Sequence, residues 1–228
     1  MNMTHHKKSL LTLTSLAALV TFSAAAHAQS AGSWLGRLGV THIAPDVTSG
    51  NLTAPSLPGT QADVKSATQL SGGITYMVSD HFAVDLPLAL PFKHELTGAG
   101  AIAGVGKIGE VKVLPITLFG QYRFLEAQAS VRPYLAMGVT YAKFFGERGT
   151  STLTALTNPG GAPTDLSVES RWGFTPQIGV VAKLNGGWFV DASLAKTFLK
   201  TRNTLSTGQT LDIKLDPVTF SVGVGKQF

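Results

Sequence analysis

Residues 218–228 read VTFSVGVGKQF, and this stretch decides the fold. Large apolar side chains alternate in it with small or polar ones: Val218, Phe220, Val222 and Val224 form one set, and Thr219, Ser221, Gly223 and Gly225 form the other. A period of two residues is that of a β-strand with two unlike faces. A strand with one apolar face and one face of small or polar residues is typical of a barrel wall that has lipid outside and a narrow lumen inside. We expect the terminal Phe228 to lie at a membrane interface.

The opposite end of the chain has the pattern of a secretory signal peptide. A basic start, HHKK at residues 5–8, precedes an apolar run over residues 9–26 and the small-x-small cleavage signal Ala26-His27-Ala28. The run is near the lower length limit for a spanning helix and is diluted by Thr and Ser, so a retained N-terminal anchor is the less favoured alternative. The sequence predicts a signal peptide over residues 1–28 and one mature domain over residues 29–228.

Composition narrows the possible functions of the mature domain. Removing Lys7 and Lys8 leaves 16 of the 18 basic residues against 13 acidic ones, scattered along the chain, so nucleic acid is not an expected partner. The absence of cysteine removes disulfides, thiolate catalysis and thiolate metal sites. After the signal no stretch approaches the ~20 apolar residues of a spanning helix. Because mean hydropathy is nevertheless +0.20 and only 14% of residues are charged, the chain reads as a membrane β-barrel.

Eight segments of alternating residues divide the mature domain. They lie at about residues 34–43, 69–76, 82–91, 114–123, 134–141, 172–180, 188–194 and 218–228. Long connections (residues 46–63, 97–109, 146–165 and 203–210) alternate with short ones, of which Asn185-Gly186-Gly187 is the tightest hairpin signal. Outer-membrane barrels have short periplasmic turns and long extracellular loops. The predicted fold is therefore all-β, an eight-stranded antiparallel transmembrane β-barrel with both ends in the periplasm.

A set of short runs, in their order and spacing, resembles one family of outer-membrane proteins. The runs are Thr68-Gln69-Leu70, Thr75-Tyr76-Met77, Asp80, Val84, Pro91-Phe92-Lys93-His94, Leu114-Pro115, Arg132-Pro133-Tyr134, Trp172-Gly173, Leu215-Asp216-Pro217 and the final Phe228. They are similar to the OmpW family over nearly the whole mature chain. The resemblance implies an eight-stranded barrel enclosing a hydrophobic channel, associated with uptake of small apolar molecules and including the alkane-importing AlkL proteins. It also implies recognition of the C-terminal strand by the barrel assembly machinery, although Lys226 stands where the family usually has an aromatic residue.

Charged residues on the inward faces gather near the predicted periplasmic strand ends. They are Arg37, Asp85, Arg123, Arg132, Lys183 and Asp191. Because unpaired charges away from bulk water are costly, we expect them to form a hydrogen-bonded network that obstructs the lower lumen. The favoured explanation of this network is simple filling of the barrel core, as in other barrels of this strand number. In either case a wide aqueous pore is not expected.

Higher in the barrel the inward residues are apolar or small. A hydrophobic lumen is predicted from Pro87, Ala89, Pro91, Pro115, Phe119, Val181 and Ala195. Pro87, Pro91, Pro115 and Pro176 each remove a ladder donor and so predict a bulge or kink in the wall. If charge closes the lower lumen, an apolar solute leaves most cheaply sideways, and lateral release into the membrane is the resulting hypothesis. The alternative is a structural or adhesive barrel with a packed core.

Outward side chains indicate lipid partners. Lys112, Lys196, Lys200 and Lys214 near the extracellular strand ends either meet lipopolysaccharide phosphates or extend along the wall to the interface. Aromatic residues predict the interface girdles of a membrane barrel; they are Trp34, Tyr76, Tyr122, Tyr141, Trp172 and Trp188.

Enzymatic chemistry has little support in the sequence. His42, His81 and His94 fall on different strands or turns, with no Ser or carboxylate visibly paired to them. Residues 104–109 match a G-x-G-x-x-G pattern but lead into a strand rather than a helix, so the dinucleotide context is missing. No His or carboxylate pair has metal-ligand spacing. We therefore expect no catalytic residues, no metal and no cofactor.

Overall fold

The computed structural model describes residues 29–228, so the predicted signal peptide lies outside the described residues. The strands are β1 (Trp34–Ala44), β2 (Thr48–Ser49), β3 (Thr60–Val64), β4 (Ala67–Met77), β5 (Phe82–Ala89), β6 (Phe92–Gly100), β7 (Lys107–Arg123), β8 (Val131–Gly149), β9 (Leu166–Val168), β10 (Arg171–Lys183), β11 (Trp188–Lys196), β12 (Lys200–Leu205), β13 (Thr210–Lys214) and β14 (Val218–Gln227). One short helix, α1 (Ser151–Thr157), precedes β9. No helix in this part of the chain has the length and apolar character to cross a membrane.

Antiparallel pairing closes the barrel. Its strands follow the circular order β1, β4, β5 with β6, β7, β8, β10, β11 and β14, and β14 pairs back onto β1 from Gln227 opposite Leu35 to Val218 opposite Ala44. β5 and β6 are the lower and upper halves of one barrel strand, because both pair with β7. This architecture confirms the predicted eight-stranded antiparallel barrel.

The two ends of the barrel differ in the length of their connections. At the end we call the turn end, residues 78–81, 124–130 and 184–187 join the strands, and Phe228 exchanges backbone hydrogen bonds with Trp34. At the loop end, β2, β9, β12 and β13 form a second sheet of four strands above the barrel. Two hydrogen bonds from Arg202 to the Asp212 carboxylate, of 2.6 and 2.9 Å, lower the pKa of Asp212 in this sheet.

The prediction that the long connections lack regular structure was wrong in part. Residues 203–210 contain the end of β12 and the start of β13, and residues 146–165 contain the end of β8 and the helix α1. Residues 97–109 contain the end of β6 and the start of β7, and residues 46–63 contain β2 and most of β3. The reason is burial: Leu205, Leu211 and Ile213 pack into an apolar cluster above the barrel, so tertiary contacts stabilise strands in segments that read locally as loops.

Inward-facing side chains change parity at Pro91. Below it the inward residues are odd-numbered, such as Ala83 and Asp85, whereas above it Phe92 and His94 are buried. The pairing with β7 confirms a one-residue shift, because Asp85 lies opposite Phe119 and Phe92 lies opposite Val113. Such a bulge turns all later side chains to the other face.

Large inward side chains fit because a glycine lies opposite them. Arg37 is paired with Gly73, and a Cβ at Gly73 would come within 2.8 Å of the Arg37 guanidinium carbon. Tyr134 is paired with Gly179, where a Cβ would lie 2.3 Å from the Tyr134 ring. The small faces noted in the sequence therefore make room for the side chains that fill the lumen near the turn end.

Aromatic side chains ring the outer wall at two levels. Near the turn end Trp34 and Tyr76 are in contact, with ring centroids 4.8 Å apart, while Tyr122 packs against Phe82 at 5.1 Å. Near the loop end Tyr141 and Trp172 lie 4.9 Å apart. Large apolar residues such as Leu118, Val139 and Val222 are exposed between these levels. An exposed apolar band between aromatic girdles is the outer surface of a membrane barrel.

Candidate functional site

A cavity occupies the upper part of the lumen. Its empty volume, including the part open to solvent, is about 1370 Å³. Apolar residues of β6 and β7, of β13 and of the positions that flank β12 and β13 line its upper part; they include Phe92, Leu96, Val111, Val113, Leu199, Ile213 and Leu215. A second cavity of about 680 Å³ lies among the loop-end segments and shares Leu96 and Asn203 with the first. The shared residues make the two cavities adjacent, so the apolar lining reaches into the loop-end segments.

Hydroxyl groups form a belt at the middle of the lumen. Thr117, Thr140, Thr175 and Thr197 are joined in series by hydrogen bonds of 2.8, 2.6 and 3.0 Å. On the opposite wall Thr41 bonds to both Ser71 and Ser221 at 2.8 Å. Because each of these hydroxyls has a partner within the protein, the belt presents satisfied polar groups to the cavity.

A buried ion pair closes the cavity below this belt. Arg37 donates two hydrogen bonds to Asp85, of 2.6 and 2.8 Å, and the Thr75 hydroxyl donates a third at 2.5 Å. Asp191 lies 3.9 Å from Arg37 Nε and accepts a hydrogen bond of 3.2 Å from the Tyr134 hydroxyl. Asp85 is fully buried. The two carboxylates are thus held by one arginine, with Thr75 and Tyr134 satisfying further lone pairs. We call these five residues the ionic floor.

Two more arginines seal the turn end. Arg123 donates a hydrogen bond of 2.6 Å to the side chain of Gln29, and Arg132 donates one of 2.9 Å to the Gln29 backbone carbonyl. Arg132 also donates to the carbonyls of Asp80 and Leu125, at 2.5 and 3.1 Å. Gln29 and Arg132 have no solvent exposure. The first described residue of the chain therefore fills the turn end of the barrel.

The six charged residues singled out in the sequence fall into separate groups. Arg37, Asp85 and Asp191 lie together in the ionic floor. Arg123 and Arg132 bind amide and carbonyl groups, and Lys183 donates to the backbone carbonyl of Ala127. The cations outnumber the carboxylates, and the surplus cations are stabilised by hydrogen bonds to neutral amide and carbonyl oxygens.

Five of the seven residues predicted for a hydrophobic lumen line the large cavity. They are Pro87, Ala89, Pro115, Phe119 and Ala195. Pro91 is half-buried at the parity change. Val181 is fully buried nearer the turn end, in a cluster with Leu35, Phe189 and Phe119. The proline-bearing halves of β5 and β7 thus lie beside the cavity, while Val181 packs below it.

The barrel wall is interrupted between two neighbouring barrel strands. One is the strand made of β5 and β6, and the other is β7. Ladder pairs end at Asp85 opposite Phe119 and resume at Phe92 opposite Val113, so residues 86–91 face residues 114–118 without a ladder pair. We call this interruption the wall break. Its two sides are anchored away from it, because β5 pairs with β4 up to Ala89 and β7 pairs with β8 throughout residues 114–118.

Prolines contribute to the wall break, although Pro176 of β10, which was also expected to distort the wall, lies in an unbroken ladder with Met137 of β8. Pro87 and Pro91 lie on one side of it and Pro115 on the other, and none of them has an N–H to donate to a ladder. The cavity reaches this place, since Pro87, Leu88 and Pro115 all contribute to its lining. Leu88 is also 51% exposed on the outer wall. The cavity therefore lies directly behind the wall break.

Phe92 and Gln29 belong to the site but were not singled out for it in the sequence. Phe92 and His94 line the cavity only because of the bulge at Pro91, which strict alternation does not contain. The Nδ1 atom of His94 lies 2.7 Å from the backbone carbonyl of Lys65. Gln29 directly follows the predicted cleavage signal, and no local pattern signals its burial. Within residues 29–228 no group of three His or acidic residues could hold a metal ion.

A closed eight-stranded barrel with an apolar outer band and an apolar cavity defines an outer-membrane β-barrel protein. The model of the OmpW family matches residues 30–228, and the chain belongs to that family. Outer membrane protein W of Vibrio cholerae is 32% identical over 97% of this chain and all of its own length. The dibenzothiophene metabolism operon protein PahQ of Pseudomonas aeruginosa is 27% identical over 86% of this chain and 88% of its own.

Solved structures agree with the fold. The crystal structure of the outer membrane protein OprG from Pseudomonas aeruginosa superposes with a TM-score of 0.79 at 28% identity, covering 89% of this chain and 99% of that one. These comparisons confirm the resemblance to the OmpW family and locate the protein in a Gram-negative outer membrane. By the rule for such barrels, the turn end is periplasmic and the loop end extracellular.

Proposed function

We propose that this barrel takes up small hydrophobic molecules from outside the cell and releases them through the wall break into the membrane. The observation that carries the proposal is the wall break itself, beside an apolar cavity that the ionic floor closes below. Transport fits the site better than catalysis, because the cavity brings together apolar and hydroxyl groups rather than a nucleophile with a base.

The route follows the polarity of the lumen. An apolar solute entering the loop end exchanges water for the side chains around Leu96, Val113 and Ile213, gaining about 25 cal/mol for each Å² of apolar surface buried. Continuing downward would require it to part Arg37 from Asp85, which leaves buried charges unpaired at a cost of several kcal/mol. Leaving sideways costs no such separation, since residues 86–91 have no ladder bonds to β7 that must be broken.

Dibenzothiophene, the compound named in the dibenzothiophene metabolism operon protein PahQ, is an apolar aromatic molecule, and the resemblance to the AlkL proteins implies apolar solutes as well. Both support a hydrophobic substrate class for this barrel. The absence of enzymatic activity belongs to the same proposal, because passage through the cavity changes no bond.

Restoring the missing ladder donors tests the proposal. We expect Pro87→Val, Pro91→Val and Pro115→Val together to lower the uptake of a hydrophobic solute severalfold, because the new N–H groups allow β5 to pair with β7. Uptake is measured in cells that lack the chromosomal copy and express each variant at equal level in the outer membrane. The matched control, Pro133→Val with Pro176→Val, changes prolines of β8 and β10 away from the wall break and should keep full uptake. Full uptake by the triple variant would contradict lateral release.

A further inference from the structure

Five charged residues cluster on the outer wall just above the wall break. Lys93 on β6 lies directly opposite Lys112 on β7, and Glu95 on β6 lies directly opposite Glu110 on β7. Like charges therefore face each other in both pairs. Like charges directly opposite in a ladder are destabilising unless something neutralises them. Lys107 reduces the repulsion in the acidic pair, since its Nζ atom lies 2.9 Å from Glu110 and 3.4 Å from Glu95.

The basic pair is not neutralised in the same way. Lys93 forms an ion pair with Glu110 instead, with an Nζ–Oε2 distance of 2.8 Å. The charges of Lys93 and Lys107 thus balance those of Glu95 and Glu110. Both glutamates of the cluster are therefore paired with other lysines, and the charge of Lys112 is not balanced within the cluster. On its other side lies Lys143 of β8, which is paired with Leu114 while Lys112 is paired with Phe145, so the two lysines are diagonal neighbours. Both are exposed, and in the described part of the chain neither has a carboxylate within ion-pair distance.

The two lysines lie at the upper boundary of the apolar band. Tyr141 of the loop-end girdle is two residues below Lys143 on β8, and Ile116 and Leu118 below Lys112 are exposed to lipid. Diagonal neighbours in a ladder have Cα atoms about 7–8 Å apart, a separation that two flexible lysine side chains can close around one phosphoryl group. At this height in the outer leaflet, phosphoryl groups belong to the lipid A part of lipopolysaccharide.

We propose that Lys112 and Lys143 form a binding site for a lipid A phosphoryl group of lipopolysaccharide, with Lys93 at its edge. Of the four lysines that the sequence offered for this contact, Lys112 belongs to the site. Lys196 and Lys214 already form ion pairs, with Asp46 at 3.1 Å and Asp216 at 2.8 Å. The acyl chains of a lipid held here would extend along Ile116 and Leu118, beside the wall break. The site stands on charge and register alone and does not depend on the transport proposal.

Retention of lipid A by the purified barrel in a neutral detergent tests the site. We expect Lys112→Gln with Lys143→Gln to weaken diphosphoryl lipid A binding about tenfold or more, because two charge-assisted hydrogen bonds are lost. Lys112→Arg with Lys143→Arg should keep it. The matched control, Lys200→Gln with Lys226→Gln, makes the same change in charge elsewhere on the outside and should leave binding unchanged.

Three probes separate the possible ligands. Diphosphoryl lipid A should bind, lipid A stripped of both phosphates should not, and inorganic phosphate should not compete at comparable concentration. Equal binding by the Lys112→Gln, Lys143→Gln variant would overturn the site, and so would an equal loss in the control variant. Competition by inorganic phosphate at the lipid's own concentration would overturn the lipid assignment.

Discussion

A disulfide between Cys residues introduced at Leu88 and Ile116 should abolish the uptake of hydrophobic solutes. Extending the β5–β7 register beyond Asp85 opposite Phe119 by three residues places Leu88 opposite Ile116, in the middle of the wall break. Both side chains are about half exposed on the outer wall, and the chain has no cysteine of its own. A covalent bond there holds the strands at a Cα separation of about 4.4–6.8 Å and closes the exit. Uptake in the oxidised state should fall to that of cells without the barrel.

The same experiment contains its own reversal and control. A reducing agent should restore uptake, which shows that the barrel is folded and inserted. Leu118→Cys with Val139→Cys joins β7 to β8 where the two residues are paired in a continuous ladder, so that disulfide should leave uptake unchanged. Uptake at the wild-type level by the oxidised Leu88→Cys, Ile116→Cys variant would refute the wall break as the exit.

The second large effect concerns stability, since Asp85→Asn should destabilise the barrel by about 3–5 kcal/mol. The substitution leaves the Arg37 guanidinium in the lumen with only the more distant Asp191 as a counter-ion, 3.9 Å from its Nε atom. An uncompensated buried charge costs more than an absent pair. Urea unfolding of the barrel in lipid vesicles measures the loss. Asp46→Asn, which breaks the exposed ion pair with Lys196, should cost less than about 1 kcal/mol.

Removing both members of the ion pair tests the reason for this effect. Arg37→Leu with Asp85→Leu leaves no charge to compensate, so the double variant should be more stable than Asp85→Asn alone. If the double variant loses more stability than the single one, the ionic floor stabilises the barrel through its charges rather than through the avoidance of an unpaired one. The explanation of the Asp85→Asn effect by an uncompensated buried charge would then be wrong.

Period-two alternation was sufficient to predict the barrel, its strand number and its two unlike ends. The reason is that every barrel strand separates lipid from lumen, so successive side chains face opposite sides of the wall. Leu118, for example, is exposed on the outer surface, whereas Thr117 is buried in the lumen. The prediction of a charged lower lumen rested on the same alternation. Arg37 and Asp85 do meet there, because the long side chain of Arg37 on β1 reaches across Gly73 of the intervening strand β4 to Asp85 on β5.

Other parts of the site depend on contacts that period-two alternation cannot predict. The bulge at Pro91 turns Phe92 and His94 inward, and where a proline shifts register is decided by the neighbouring strands. Gln29 binds Arg123 and Arg132 across more than ninety residues of sequence, a contact for which no local pattern exists. In the loop-end sheet, apolar residues such as Leu211 are buried in a cluster shared with barrel residues such as Phe92, a contact between segments distant in sequence.

Solute selectivity in cells tests most directly whether the barrel is an apolar conduit. Cells lacking the barrel and cells with the barrel restored are compared for uptake of a small hydrophobic solute and of a charged solute of similar size. We predict that the restored barrel rescues uptake of the hydrophobic solute only, because its lumen is apolar above and closed by Arg37 and Asp85 below. Rescue of both solutes would mean an aqueous pore. Rescue of neither would mean a structural barrel with a non-conducting core, and either result would contradict the account.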